Sequence, residues 1–356
     1  MEKEPKCFNV RQAAVRYVIT FIVIMAMFFA MMAAYHYYYD RKVSNFDRVS
    51  EIYVRPDTPV DSVVSMILKV SEPKKAGSVR RVFEDVEGVK PGHYTISPGD
   101  PSIYVARMVS NGWQTPVNLV LSGSLRKQSV LASRISSQML LDSADVIAAL
   151  RDSALLAGLG FDRNNVFALF IPDTYQCYWT ESMEDVLRRQ KAAYDAFWTE
   201  ENVARAKAQG LTKLEVSTLA SIVNGETLYE PEMPSIAGVY LNRLRIGMKL
   251  QADPTVAYCF DYSLDRILKK HLAVESPYNT YVNFGLPPAP ICVPTKAALE
   301  AVLNPDTHGY LYFCASPDFN GTHRFAASYT EHLRNAREFQ RALTKRRRER
   351  AANANN

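Results

Sequence analysis

The stretch KLEVSTLASIVNGETLYEPEMPSIAGVYLNRLRIGMKLQADPTVAY, residues 213–258, decides how the rest of the chain is read. Its opening is helical: Leu214, Val216, Leu219, Ala220, Ile222 and Val223 recur at the spacing of one buried face. Glu226 follows Ile222 and Val223 by four and three residues, so on a continued helix it shares their face. A carboxyl group at the end of an apolar stripe, beside Gly225 where the backbone is least crowded, loses hydration. That raises its pKa and lets it hold a proton near neutral pH, as a general acid must. The spacing alone equally fits a surface glutamate at a fraying helix end.

Pro231 and Pro234 mark a loop, and Ser235 is placed to cap a second helix. There Ile236, Val239, Tyr240, Leu241 and Leu244 form the apolar side, with Asn242, Arg243 and Arg245 on the polar one. After Gly247 the chain runs through Gln251, Ala252, Asp253, Pro254 and Thr255. One acid followed by amide, guanidinium and hydroxyl groups suits a polar ligand with many hydroxyls, such as a sugar chain. The polar loop SPYNTY (276–281) adds further groups of that kind, and the prolines of GLPPAPI (285–291) fix a rigid turn.

LASIVNGET (219–227), IAGVYLNRL (236–244), GMKLQADPTV (247–256), SPYNTY, GLPPAPI and YLYF (310–313) together closely resemble the YceG-like endolytic murein transglycosylases. Weaker similarity runs upstream through PGHYTISPG (91–99), SNGWQTPVNLVL (110–121) and FIPDTYQCYW (170–179), so the resemblance covers roughly residues 45 to 345. It implies that Glu226 is the catalytic acid, the second glutamate of an E-x-E element whose first position here is Asn224. The family's Glu-Gly pair before the PDTY element is replaced by Phe167 and Ala168. The implied reaction cleaves MurNAc–GlcNAc bonds in peptidoglycan, possible nascent strands included, and leaves 1,6-anhydro-MurNAc ends. With glycan as ligand, the expected contacts are Asn242, Arg243, Gln251, Asp253, Thr255, Tyr278, Asn279 and Tyr281. Asp253 before Pro254 equally fits a turn cap, and Arg243 an ion-pair partner. No cofactor or metal is expected. Partners implied are peptidoglycan strands, the membrane and peptidoglycan synthases. Two alternatives remain, the first kept open by the departures at Asn224 and Phe167–Ala168. One is a catalytically weak glycan-binding scaffold for the synthases. The other is a two-carboxylate muramidase using Glu226 with Glu230, Glu232 or Asp253.

The remaining residues place this segment in an α+β chain with a single N-terminal transmembrane helix, a small LysM-like α/β module and a mixed α+β catalytic domain. A chain of 356 residues, 47% hydrophobic and 22% charged, holds a sizeable globular core. Between Tyr17 and Tyr35 no charge occurs, which is long enough for a hydrocarbon core of about 30 Å. Tyr35, Tyr37, Tyr38 and Tyr39 form an interfacial belt. Lys3, Lys6, Arg11 and Arg16 favour residues 1–16 in the cytoplasm, 17–36 as an uncleaved inner-membrane anchor, and an extracytoplasmic bulk. Residues 45–124 read as a small α/β module that resembles the LysM-like portion of that family: strands over 51–55, 88–96 and 117–121, with helices from Val60 and over 103–109. Its engagement of glycan is implied by resemblance only, and a spacing role fits as well.

Residues 125–345 read as the catalytic domain. Helices are expected over 129–141, 143–150, 181–209 (one or a pair), 264–272 and 295–303, with a strand over 310–315. Tyr175, Tyr178 and Trp179 suit either a sugar cleft or the core, and His323 of GTHRF faces the strand. Residues 346–356 are a basic and polar tail that begins within KRRRER (345–350). A net charge of +5 without basic clusters interleaved with aromatics excludes nucleic acid as the natural partner. Cys7, Cys177, Cys259, Cys292 and Cys314 lack metal-ligand spacing, and buried free thiols are the simplest expectation.

Overall fold

A computed structural model describes residues 10–354, so Lys3, Lys6, Cys7 and the last two residues lie outside the described part. The described chain forms two compact units, residues 10–117 with 177–180, and residues 118–176 with 181–354.

The first unit begins with α1 (Val10–Lys42), an unbroken helix long and apolar enough to cross a membrane. It runs through the tyrosine belt because nothing from Tyr35 to Lys42 breaks a helix. Beyond it come β1 (Ser50–Val54), α2 (Val60–Ser71), α3 (Ala76–Phe83), β2 (Gly92–Ile96) and α4 (Ser102–Asn111). β1 and β2 pair antiparallel, with Ser50 opposite Ile96 and Val54 opposite Gly92. The alternation of β1 turns Ile52 and Val54 inward and Glu51 and Tyr53 outward, as period two requires. Ile52, Val63, Ile67, Phe83, Tyr94 and Val105 share the core of this unit. α3 was not expected, because eight residues with three inward apolar positions are too short for a periodic signal. It matters to the unit: the Arg81 guanidinium donates to both carboxylate oxygens of Asp40, at 3.0 and 2.7 Å, tying α3 to the end of α1.

β3 (Val117–Val120) pairs with β4 (Thr174–Cys177), and between them lie α5 (Gln128–Ser136), α6 (Ser143–Ala149) and α7 (Ser153–Gly158). The helix or helix pair expected over 181–209 is a pair, α8 (Met183–Phe197) and α9 (Glu200–Ala208). Thr199 separates them by accepting the Asn202 amide and capping the second helix. Then follow α10 (Lys213–Glu226), α11 (Met233–Arg245), α12 (Asp253–Cys259), α13 (Lys296–Leu303), β5 (Tyr312–Ala315), β6 (His323–Ala326) and α14 (Tyr329–Ala354). The helix expected over 264–272 is only a short 3-10 turn at Lys269–Ala273, since no apolar face there is buried and Leu268 is exposed. The basic run 345–350 continues α14, whose Lys, Arg, Glu and Ala residues are good helix formers. Among the described residues no disulfide joins Cys177, Cys259, Cys292 or Cys314, and Cys177 and Cys292 are buried.

The core of the second unit centres on α10. A capping box starts it: the Thr212 hydroxyl accepts the Glu215 amide at 3.2 Å, and the Glu215 carboxylate accepts the Thr212 amide at 2.8 Å. Every residue from Val216 to Asn224 is buried, so the helix is enclosed all round rather than along one stripe. α11, α12, α13 and α9 pack against it. Its small hydroxyls make this possible, because Ser217, Thr218 and Ser221 satisfy themselves on carbonyls of the preceding turn. Ser221 Oγ also accepts the Ile291 amide at 3.0 Å, which docks the Pro-rich turn onto α10.

Gly238 of α11 sits where a Cβ would come within 2.7 Å of the Asp306 carbonyl oxygen. Gly238→Ala is therefore expected to destabilise by about 1–3 kcal/mol in urea denaturation, despite the helix propensity gained. An unchanged or raised midpoint would show that the 304–309 segment yields without cost.

Candidate active site

Glu226 is the last residue of α10 and is half-buried. Two cavities meet at it. One of about 260 Å³ is lined by Tyr240, Arg243, Gln251, Asp253, Tyr281, Tyr312, Phe313, Tyr329 and His332. The other, about 710 Å³, is walled by Leu228, Tyr229, Phe319, His323, Phe339 and Arg346 among others, and is the more apolar.

The Tyr240 hydroxyl donates to Glu226 Oε1 at 2.6 Å. Tyr240 is 1% exposed, so its hydroxyl needs a buried partner, and the carboxyl is that partner. Protein packed around the carboxyl raises the Glu226 pKa from an ordinary 4.5 to about 7. The Tyr240 hydrogen bond opposes that rise, the negative charge of Asp253 adds to it, and Arg243 opposes it. Asp253 is held in turn by the Tyr281 hydroxyl, which donates to Oδ1 at 2.6 Å. Gln251 adopts a left-handed backbone (φ 52°), and its amide donates to the Thr280 carbonyl at 3.1 Å.

Gly225, expected to be uncrowded, is the reverse. A Cβ there would lie 2.6 Å from the ring of Pro254, so glycine is what lets α12 approach the end of α10 and bring Asp253 beside Glu226. Ser235, expected as a cap, lies inside α11 and donates from its hydroxyl to Asp306. Arg243, expected on the polar side, is 7% exposed. Its Nε donates to the Leu311 carbonyl at 2.6 Å and its Nη1 to that of Leu250, with the guanidinium 5.3 Å from the centre of the Tyr312 ring. A buried cation satisfied by backbone carbonyls joins α11 to the segment before β5 and contributes positive potential at the cavity.

Of the expected contact residues, Arg243, Gln251, Asp253 and Tyr281 line the smaller cavity with Glu226. The other four lie outside it, with their polar groups used internally. Asn242 donates to the His308 and Tyr310 carbonyls. Thr255 donates to the Ala252 carbonyl and pairs with Thr280. Asn279 donates to the Leu272 and Val274 carbonyls and accepts the Tyr281 amide. Tyr278 packs 4.6 Å from Tyr258. Each holds a loop that forms the site without facing it.

Sequence reasoning missed Tyr240, Tyr312, Phe313, Tyr329 and His332. Tyr240 carried a signal, since a tyrosine on an apolar stripe needs a partner for its hydroxyl. His332 carried none: it is brought in by α14 and stacks on Tyr312 at 5.4 Å. Burial, and then Arg243, lower its pKa, so it presents a neutral imidazole. His323 instead serves the larger cavity, and its ring and amide bind the Glu232 carboxylate at 2.9 Å. Asn224 is 4% exposed and lines neither cavity, and its Oδ1 has no hydrogen-bond partner among the described residues.

A sequence model described as the YceG-like family matches residues 52–338, and the chain belongs to that family. A Bacillus subtilis (strain 168) protein named endolytic murein transglycosylase is 28% identical over 301 residues, which are 79% of this chain and 82% of that protein. A protein of the same name from Streptococcus pneumoniae serotype 2 is 31% identical over 172 residues, 47% of this chain but only 31% of that protein. A 2.6 Å crystal structure of a YceG-like protein from Listeria monocytogenes superposes with a TM-score of 0.56 at 25% identity. It covers 81% of this chain and 98% of that one.

The raised pKa of Glu226 has a consequence for stability. An unfolded glutamate ionises near 4.5 and the folded one near 7, so between those values the folded chain keeps a proton that the unfolded chain has released. Wild-type stability then falls as pH rises through that window, and the contribution is gone above pH 7. Glu226→Gln does not titrate and lacks this fall. In urea denaturation at pH 4.5 and 8, wild type is expected to lose up to about 3 kcal/mol relative to the variant, less as water reaches the open side. Parallel profiles would contradict the shift.

Proposed function

We propose that this chain is a membrane-anchored, endolytic lytic transglycosylase that cleaves MurNAc–GlcNAc bonds in peptidoglycan, with Glu226 as its single acid and base. The observation that carries the reading is the Glu226 carboxyl, its pKa pushed up to about 7 by burial, open to two cavities at once. A strand crossing Glu226 has room on either side of the bond to be cut, which suits cleavage within a chain rather than at its end. The names of the B. subtilis and S. pneumoniae relatives support the same reaction.

In this mechanism Glu226 gives its proton to the glycosidic oxygen as the bond from MurNAc C1 breaks, and GlcNAc leaves with a new hydroxyl. The Glu226 carboxylate then takes the proton of the MurNAc C6 hydroxyl as that oxygen attacks C1. The 1,6-anhydro ring closes, the acid is restored and no water is consumed. Tyr240 keeps the carboxyl aimed throughout, and Arg243 stabilises its ionised state midway. We assign Gln251, Asp253 and Tyr281 to substrate contact, and extend that role to Tyr312 and His332 from their place in the same cavity.

In this reading α1 anchors the chain in the cell membrane with the N-terminus cytoplasmic and the chain beyond α1 outside. The 45–124 segment acts as a LysM-like module. Its exposed Tyr53, Tyr104 and Trp113 offer flat faces on which sugars stack. Peptidoglycan synthases are the expected neighbours of an enzyme that cuts nascent strands. One observation favours a second reading: Asp253 lines the same cavity as Glu226, as a two-carboxylate muramidase needs.

Mass spectrometry of fragments released from peptidoglycan by the full chain in detergent separates these readings. Wild type is expected to give anhydro-muramyl ends, and Glu226→Gln to lose roughly two to four orders of magnitude in rate. Reducing muramyl ends would replace the transglycosylase with a hydrolase. Binding to the polymer with no fragments from either protein would replace it with a scaffold.

A further inference from the structure

A third cavity of about 500 Å³ shares no lining residue with the two at Glu226. Four basic side chains, Arg126, Lys127, Arg151 and Arg163, line it together with one acid, Asp261. That acid is already used, for Lys127 Nζ lies 2.9 Å from Asp261 Oδ2. None of the three guanidinium groups forms an ion pair among the described residues. Arg151 Nε donates only to the Gln128 side chain, at 3.3 Å, and Arg126 lies over the Tyr262 ring, 5.5 Å from its centre. Like charges converging on one concavity repel one another, so the cluster costs stability unless an anion joins it.

The turn that carries Asp261 is built with strain. Asp261 and Tyr262 both have left-handed backbone angles, φ 50° and 53°, which an aromatic residue rarely adopts. The Tyr262 hydroxyl donates to the Ile291 carbonyl at 2.7 Å and holds this turn in place. The turn supplies both the ring beneath Arg126 and the carboxylate that positions Lys127. Gln128 and Ser129, the first residues of α5, also line the cavity, and no side chain caps that helix.

We propose that this cavity binds a multiply charged oxyanion. The guanidinium groups offer paired N–H donors matched to phosphate or carboxylate oxygens. The unpaired positive charge suits a ligand with more than one negative charge rather than a single carboxylate. Two sources share that chemistry, a diphosphate group and the neighbouring carboxylates of an acidic peptide. The assignment does not rest on the transglycosylase reading, and its test does not use glycan cleavage.

Isothermal titration calorimetry of the full chain in detergent, with inorganic phosphate, pyrophosphate and glutarate as probes, tests it. Saturable binding of pyrophosphate or glutarate, tighter than that of phosphate, is expected, and the tighter of the two identifies the source. The double variant Arg151→Gln, Arg163→Gln changes only exposed side chains and is expected to weaken that binding about tenfold or more. Asp261→Asn, which removes the competing carboxylate and keeps a residue tolerant of the left-handed turn, is expected to tighten it. Glu226→Gln should leave it unchanged. No binding, or binding that the arginine pair and Asp261→Asn leave unaltered, would overturn the proposal.

Discussion

The hydrogen bond from the Tyr240 hydroxyl to Glu226 is the contact on which the site depends. Either group alone at that depth would be costly, a phenol without an acceptor or a carboxyl without a donor. Together they fix the end of α10 against the middle of α11, with the carboxyl in one orientation at the junction of two cavities. The enclosure that makes the contact necessary also moves the carboxyl into the range where it can give a proton and take one back. Packing and chemistry therefore follow from one cause.

Around this pair, the second unit is arranged to bring distant segments to one point. Gly225 admits Pro254, so Asp253 arrives beside the acid. Arg243 holds the Leu250 and Leu311 carbonyls, so the loop before α12 and the strand β5 close on the same cavity. Glu232 holds His323 and with it the β5–β6 hairpin over the larger cavity. Tyr312 and His332 stack on each other where β5 meets α14. The polar residues that resemble ligand contacts in sequence are largely the fasteners of these loops. Asn242 and Asn279 donate to loop carbonyls that no secondary structure would pair, and the Thr255 hydroxyl accepts the Thr280 loop amide.

Much of this was legible in the chain before its fold was seen. The apolar spacing of α10 and the position of Glu226 at its end are local facts, and local periodicity reports them. The alternation in β1 is legible for the same reason. Burial of Arg243 was not, because its compensating carbonyls include one 68 residues away and nothing in IAGVYLNRL marks it as inward. His332 and Tyr312 were missed likewise, since long-range contacts leave no periodic trace. The crowding at Gly225 inverted the expectation: a glycine reads as freedom in sequence and here serves close approach. The helix expected over 264–272 failed because propensity without a face to bury does not hold a helix.

The central claim is that enclosure holds the Glu226 carboxyl near pKa 7, with Tyr240 and Asp253 pulling in opposite directions. Carbon-13 NMR titration of glutamate side-chain carboxyls, with Glu226 assigned by its loss in Glu226→Gln, measures this directly. A midpoint near 7 is expected in wild type, moved up in Tyr240→Phe and down in Asp253→Asn. A midpoint near 4.5 that neither substitution moves would contradict it.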